Sequence, residues 1–253
     1  MSAYTVSLLS IVGINVILAV SLNIISGFCG QISLGHGAFY GAGAYAAALV
    51  AVATHSVPFA LIAGTLVGSV LGLIVGFASL RVRSDFLAVT TIGINFLFTG
   101  FVRKQGWLGG EMGISSIPAS GLGGTGNMVM IELFAAATLA VNPVAYKLVA
   151  FALGTAFAGL AGGLYAYFTQ FINVDAFDFI TSVMVMAMVV IGGIGSTFGV
   201  AIAAIVLTLL PETFRFINEY RLLVFGGLLV LFISLAPGGL ASLFHGTRTR
   251  LRR

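Results

Sequence analysis

The sequence predicts an all-α fold: a polytopic bundle of membrane-crossing helices forming one domain over residues 1–253. Three observations predict it. First, 59% of the residues are hydrophobic and 7% charged, with a mean hydropathy of +1.14. A soluble domain carries about 25% charged residues to cover its outside, whereas a surface facing lipid needs none. Second, the apolar residues come in runs close to the ~20 residues a helix needs to cross the hydrocarbon core. Third, the charges stand at the ends of those runs, which avoids the roughly 2.5–3.5 kcal/mol that a charge at a helix centre costs.

Taken in order, the candidate spans are 5–27, 33–53, 57–79, 86–102, 148–168, 179–193, 196–211 and 221–236. The first has no basic stretch ahead of its apolar run and reads as a retained helix, not a cleaved signal peptide. Arg81, Arg83 and Asp85 separate the third from the fourth, and Arg103 and Lys104 close the fourth. Residues 103–131 are rich in Gly, Ser and Pro and read as loop. The Ala- and Leu-rich stretch from Glu132 favours a short helix, broken at Asn142-Pro143. Gly192-Gly193-Ile194-Gly195-Ser196 splits two short runs into tight spans or a re-entrant pair.

The tail residues Arg248, Arg250, Arg252 and Arg253 place the C-terminus in the cytoplasm by the positive-inside rule. Counting back from there makes 132–147 cytoplasmic. Counting forward with Arg81 and Arg83 inside leaves the chain one crossing short between residues 103 and 131. Either those arginines are outside, or an early span is re-entrant, or a crossing has been lost.

Two small-residue ladders of period four are present: Gly64, Gly68, Gly72, Gly76, and Ala150, Gly154, Ala158, Gly162. A four-residue period drifts only about 40° per step around a helix, so each ladder is a ridge suited to close helix crossing.

The net charge of +4 lies at span ends and in the tail, a membrane pattern and not a nucleic-acid one. Cys29 is the only cysteine, so an intrachain disulfide and a cysteine metal cluster are excluded. No Walker A or HExxH sequence occurs, and His36, His55 and His245 are scattered, so the chain reads as neither an ATPase nor a metalloenzyme, with no cofactor or metal implied. Polar Gln31, Ser33 and His36 precede a glycine-rich apolar run. Broken helices of this kind line transporter paths, so these three are candidate translocation-path residues; a plain loop between two spans is the alternative.

The run Ser21-Leu-Asn-Ile-Ile-Ser-Gly-Phe-Cys-Gly-Gln-Ile-Ser-Leu-Gly-His-Gly-Ala-Phe-Tyr-Gly-Ala-Gly-Ala-Tyr45 resembles the permeases of branched-chain amino-acid ABC importers, of the LivM type. So do Lys147-Leu-Val-Ala-Phe151, Gly159-Leu-Ala-Gly-Gly-Leu164, Val189-Val-Ile-Gly-Gly-Ile-Gly-Ser196, Tyr220-Arg-Leu-Leu-Val-Phe-Gly226 and Ala236-Pro-Gly-Gly-Leu240. Gly113-Ile-Ser-Ser-Ile-Pro118 looks like the family's extracytoplasmic loop. The resemblance covers nearly the whole chain in order. It implies an ABC importer permease-like bundle in the inner membrane of a prokaryote. The implied partners are two ABC ATPase subunits, a homologous second permease and an extracytoplasmic solute-binding protein. Residues 132–147 then look like the coupling loop that docks on the ATPase, with Glu132, Ala135 and Ala136 in its helix and Ala140 where the family usually has glycine. Family members usually carry another membrane helix and a basic stretch before this loop. Here Gly126-Asn-Met-Val-Met-Ile131 joins directly, which implies an internal deletion near 126–132 and meets the missing crossing at the same place.

The function expected is import of branched-chain amino acids by alternating access, without enzymatic activity in this chain. Three alternatives are an importer of urea, short amides or other amino acids, a stand-alone channel or secondary transporter, and an inactive remnant.

Overall fold

The computed structural model describes residues 2–79, 84–121, 123–139, 147–213 and 226–227. Eight α-helices run through them: α1 Ala3–Cys29, α2 His36–Thr54, α3 Val57–Ser79, α4 Ser84–Lys104, α5 Gly123–Leu139, α6 Lys147–Thr169, α7 Phe179–Gly192 and α8 Thr197–Thr213. Six stretches are long and apolar enough to cross a membrane: α1, α2, α3, α4, α6, and the span Val174–Gly192 that joins a short 3-10 turn to α7. All of the expected span 221–236 except residues 226–227, together with the arginine tail, Arg81, Arg83, Ala140 and the break at Asn142-Pro143, lies outside the described residues.

Side-chain and backbone contacts fix the helix directions. Asn23 of α1 meets Gly195 just before α8, and Asn15 meets Thr208 further along it, so α1 and α8 are antiparallel. Gly64, Gly72 and Gly76 of α3 meet Gly159, Thr155 and Phe151 of α6, again antiparallel. The turn at Gly193–Gly195, where both glycines hold positive φ, marks one end of the bundle, here the lower end. The upper end carries the loops 105–121 and 170–178, tied by mutual backbone hydrogen bonds between Ile114 and Ile172 and by the Arg103–Asp175 ion pair at 2.8 Å.

The core is the α6 seam. One face of α6 (Phe151, Thr155, Gly159) takes the α3 glycine ladder, so closely that a Cβ on Gly159 would sit 2.3 Å from the Gly64 carbonyl oxygen. The α6 ladder itself faces elsewhere: Gly154 meets Ser21 and Ile25 of α1, and Gly162 meets Tyr40 and Ala44 of α2. The two ladders therefore do not interlock with each other. α6 presents two small-residue faces to three neighbours, which is why it is a central helix.

Two sequence expectations are corrected. Residues 103–131 are not all loop: short 3-10 turns at Gly106–Leu108 and Gly110–Met112 give way to α5 at Gly123. This helix runs unbroken to Leu139, so the segment from Glu132 is the second half of an existing helix and not the start of a new one. Gly124 meets Val6 and Gly13 meets Ile131, so α5 runs parallel to α1, from the upper end downward. It supplies the direction of crossing that the sequence count lacked. Its 17 residues reach about 25 Å, short of a full ~30 Å core, which is why composition alone did not mark it. The other correction is the second span, which begins as helix at His36 and not at residue 33.

Candidate functional site

α1 ends at Gly30 in the left-handed conformation, and residues 31–35 are not helical. Exposed backbone of this kind is normally at a surface, yet Gln31 is 2% exposed and Ser33 and His36 are fully buried. The chain has turned back into the bundle. His36 Nε2 lies 2.7 Å from Ser21 Oγ, and Ser21 stands eight residues before the end of α1. At 1.5 Å per residue, α2 therefore starts about 12 Å inside the bundle.

A helix starting there brings N–H groups that need partners away from water. Two come from side chains. Ser182 Oγ of α7 accepts from Gly37 N at 2.8 Å, and Thr91 Oγ1 of α4 accepts from Leu34 N at 3.0 Å. Asn95 Nδ2 donates to the same Ser182 oxygen at 2.8 Å and reaches the Asp178 carbonyl at 3.4 Å. The approach of α2 to α4 requires glycine, since a Cβ on Gly35 would meet the Thr91 carbonyl oxygen at 1.9 Å.

Four helices thus meet around one polar junction: α1 through Ser21, α2 through His36 and Gly37, α4 through Thr91 and Asn95, and α7 through Ser182. The junction is not saturated. Gln31 Oε1, Ser33 Oγ and His36 Nδ1 are buried with no hydrogen-bond partner among the described residues. Buried polar atoms are normally paired, so several left open together mark a place for water or solute. The arrangement can carry a polar solute by exchanging hydrogen bonds.

The structure brings Gln31, Ser33 and His36 together in one buried segment. Sequence reasoning missed Ser21, Thr91, Asn95 and Ser182. Their signal was available, since each is a polar residue inside an apolar run, but hydroxyl residues such as the Thr90-Thr91 and Thr181-Ser182 pairs can satisfy themselves on a helix's own carbonyls, and nothing in sequence says which of them faces a neighbouring helix.

The candidate coupling residues sit differently. Ala135 is 4% exposed, on the Ile131–Ala135–Thr138 face that packs α5 into the bundle. Glu132 and Ala136 are exposed. Glu132 lies against Gly13, ten residues or about 15 Å along α1, which puts it near mid-depth and not beyond the lower end. Both Glu132 and Ala135 thus lie within the packed length of α5, above the lower end of the bundle. Ala140 lies outside the described residues.

A model of the family described as "Branched-chain amino acid transport system / permease component" matches the chain in two pieces, residues 4–135 and 122–233. The high-affinity branched-chain amino acid transport system permease protein LivM of Escherichia coli K12 is 32% identical, over 98% of this chain and 72% of its own length. The protein of the same name from Salmonella typhimurium LT2 is 32% identical over 94% of this chain and 69% of its own length. The E. coli alignment runs over 311 positions against the 253 residues here, so at least 58 of them belong to the relative alone. No solved structure matches. Whole-chain similarity at this level, on an all-helical bundle with six membrane-length spans, places the protein: it belongs to the family of permease components of branched-chain amino-acid transport systems.

Proposed function

We propose that this chain is one membrane subunit of an ATP-driven importer of branched-chain amino acids. It would work with two ATPase subunits, a homologous second permease and an extracytoplasmic solute-binding protein. The observation that carries the reading is the polar junction at the start of α2, set in a chain whose relatives are named for branched-chain amino-acid transport. Substrate released at the upper end passes Asn95, Ser182 and His36 as the bundle alternates between outward- and inward-open forms. Gln31 and Ser33 continue the path, with Gln31 Oε1 and Ser33 Oγ buried and open among the described residues. Uptake of labelled leucine by the reconstituted complex, with and without this chain, tests it. ATP-dependent uptake should require the chain, and equal uptake without it overturns the reading.

The lower end is assigned to the cytoplasm. The sequence joining α3 to α4 there contributes Arg81 and Arg83, and α6 starts there at Lys147. At the upper end, Arg103 and Lys104 are offset by Glu111, Asp175 and Asp178. The same rule places the arginine tail inside. Coupling to the ATPases is assigned to the sequence 132–147, with Glu132, Ala135, Ala136 and Ala140 as its candidate residues and Ala136 nearer the lower end of α5 than Glu132.

Internal shortening is part of the proposal. It is supported by the alignment positions with no counterpart here and by the family match breaking into pieces that overlap at 122–135. α5 then takes the crossing that a longer relative makes with more chain. Cysteines introduced at Gln105 and Lys147 should label from opposite sides of the membrane with an impermeant maleimide; labelling from one side removes α5 as a crossing.

A further inference from the structure

At the upper end, a cavity of about 310 Å³ opens between the last turns of α4 and the start of α7. Its lining combines three chemistries. Arg103 supplies a cation and Asp178 an anion, and Phe96 and Phe179 form an apolar wall, stacked at 6.1 Å with 24° between their planes. Both charged groups keep binding capacity. Arg103 spends one N–H on Asp175, at 2.8 Å, of the five a guanidinium offers. Asp178 Oδ1 caps α7, accepting from Thr181 N at 2.9 Å and from Thr181 Oγ1 at 3.2 Å, while a carboxylate has a second oxygen. One residue links the cavity to the polar junction: the Asn95 amide, next in sequence to Phe96, donates to Ser182 Oγ and reaches the backbone carbonyl of Asp178, which lines the cavity.

We propose that this cavity is a binding station for a free α-amino acid ahead of the junction, resting on the importer reading above. Arg103 takes the carboxylate, Asp178 the ammonium group, and the Phe96–Phe179 wall the branched side chain. A zwitterion needs both charges answered when it leaves water, and a cavity with one charge of each sign beside an apolar wall selects for that class.

The test uses the whole complex in nanodiscs without binding protein. Displacement of labelled leucine is measured with leucine, with leucinamide (no carboxylate) and with 4-methylpentanoate (no amine). The native complex should prefer leucine at least tenfold over both. Arg103→Gln should abolish the preference over leucinamide and keep that over 4-methylpentanoate; Asp178→Asn should do the reverse; Arg103→Lys should restore part of the first. Co-purification of each variant with its partners verifies assembly. Unchanged preferences in both variants, or no leucine binding to the native complex, overturn the station. If ATP-driven import from loaded binding protein persists in that case, the importer reading stands; loss of import in the native complex sinks that reading instead.

Discussion

The α3–α6 seam and the polar junction are built from the same small residues and behave in opposite ways. In the seam, glycines bring two backbones together and the polar group between them is satisfied: Gly64, Gly68 and Gly76 close on Gly159, Thr155 and Phe151, and the Thr155 hydroxyl donates to the Phe151 carbonyl at 2.8 Å. At the junction, Gly35 and Gly37 also bring helices close, yet buried polar atoms of Gln31, Ser33 and His36 remain open among the described residues. Close approach alone therefore makes a dry joint, and close approach beside interrupted helix makes a wet one. One side of the bundle is organised to hold its shape and the other to exchange partners.

The largest effect should come from the dry side. Gly159→Leu forces a side chain into the Gly64 carbonyl and should cost roughly 3 kcal/mol or more by overpacking, read as loss of the monodisperse peak and a lower Tm in detergent. At Gly93 of α4 an added Cβ meets nothing within 4 Å, and Gly93→Ala should leave Tm unchanged or raised. Equal losses at both positions would erase the contrast. The second effect belongs to the wet side. His36→Leu keeps the volume and removes the bond to Ser21, so Tm should fall by less than in Gly159→Leu, while ATP-driven leucine uptake falls at least tenfold, about 1.4 kcal/mol. A variant that transports normally would make His36 a packing residue and sharpen the comparison to one between two structural joints.

Much of the dry side was legible in the sequence. A four-residue glycine period over one apolar run announces a close crossing, and the long spans declare themselves by length. Which face of α6 the α3 ladder meets was not legible, because small residues line two of its faces. The wet side was half legible: Gln31, Ser33 and His36 stand together in sequence, but Asn95 and Ser182 join them from more than fifty residues away. α5 was the element sequence reading missed, since its first turns are Gly-Gly-Thr-Gly-Asn, poor helix formers that packing against α1 overrides.

That packing sets an order of events during synthesis. The ribosome delivers α1 before α5, and the α1 groove at Gly13 accepts Ile131, made more than a hundred residues later. At 5–20 residues per second the groove waits on the order of ten seconds, filled by lipid or by the insertion machinery. α5 is thus a late arrival, and until it is made the Gly13 side of α1 lacks the partner that covers it in the finished bundle.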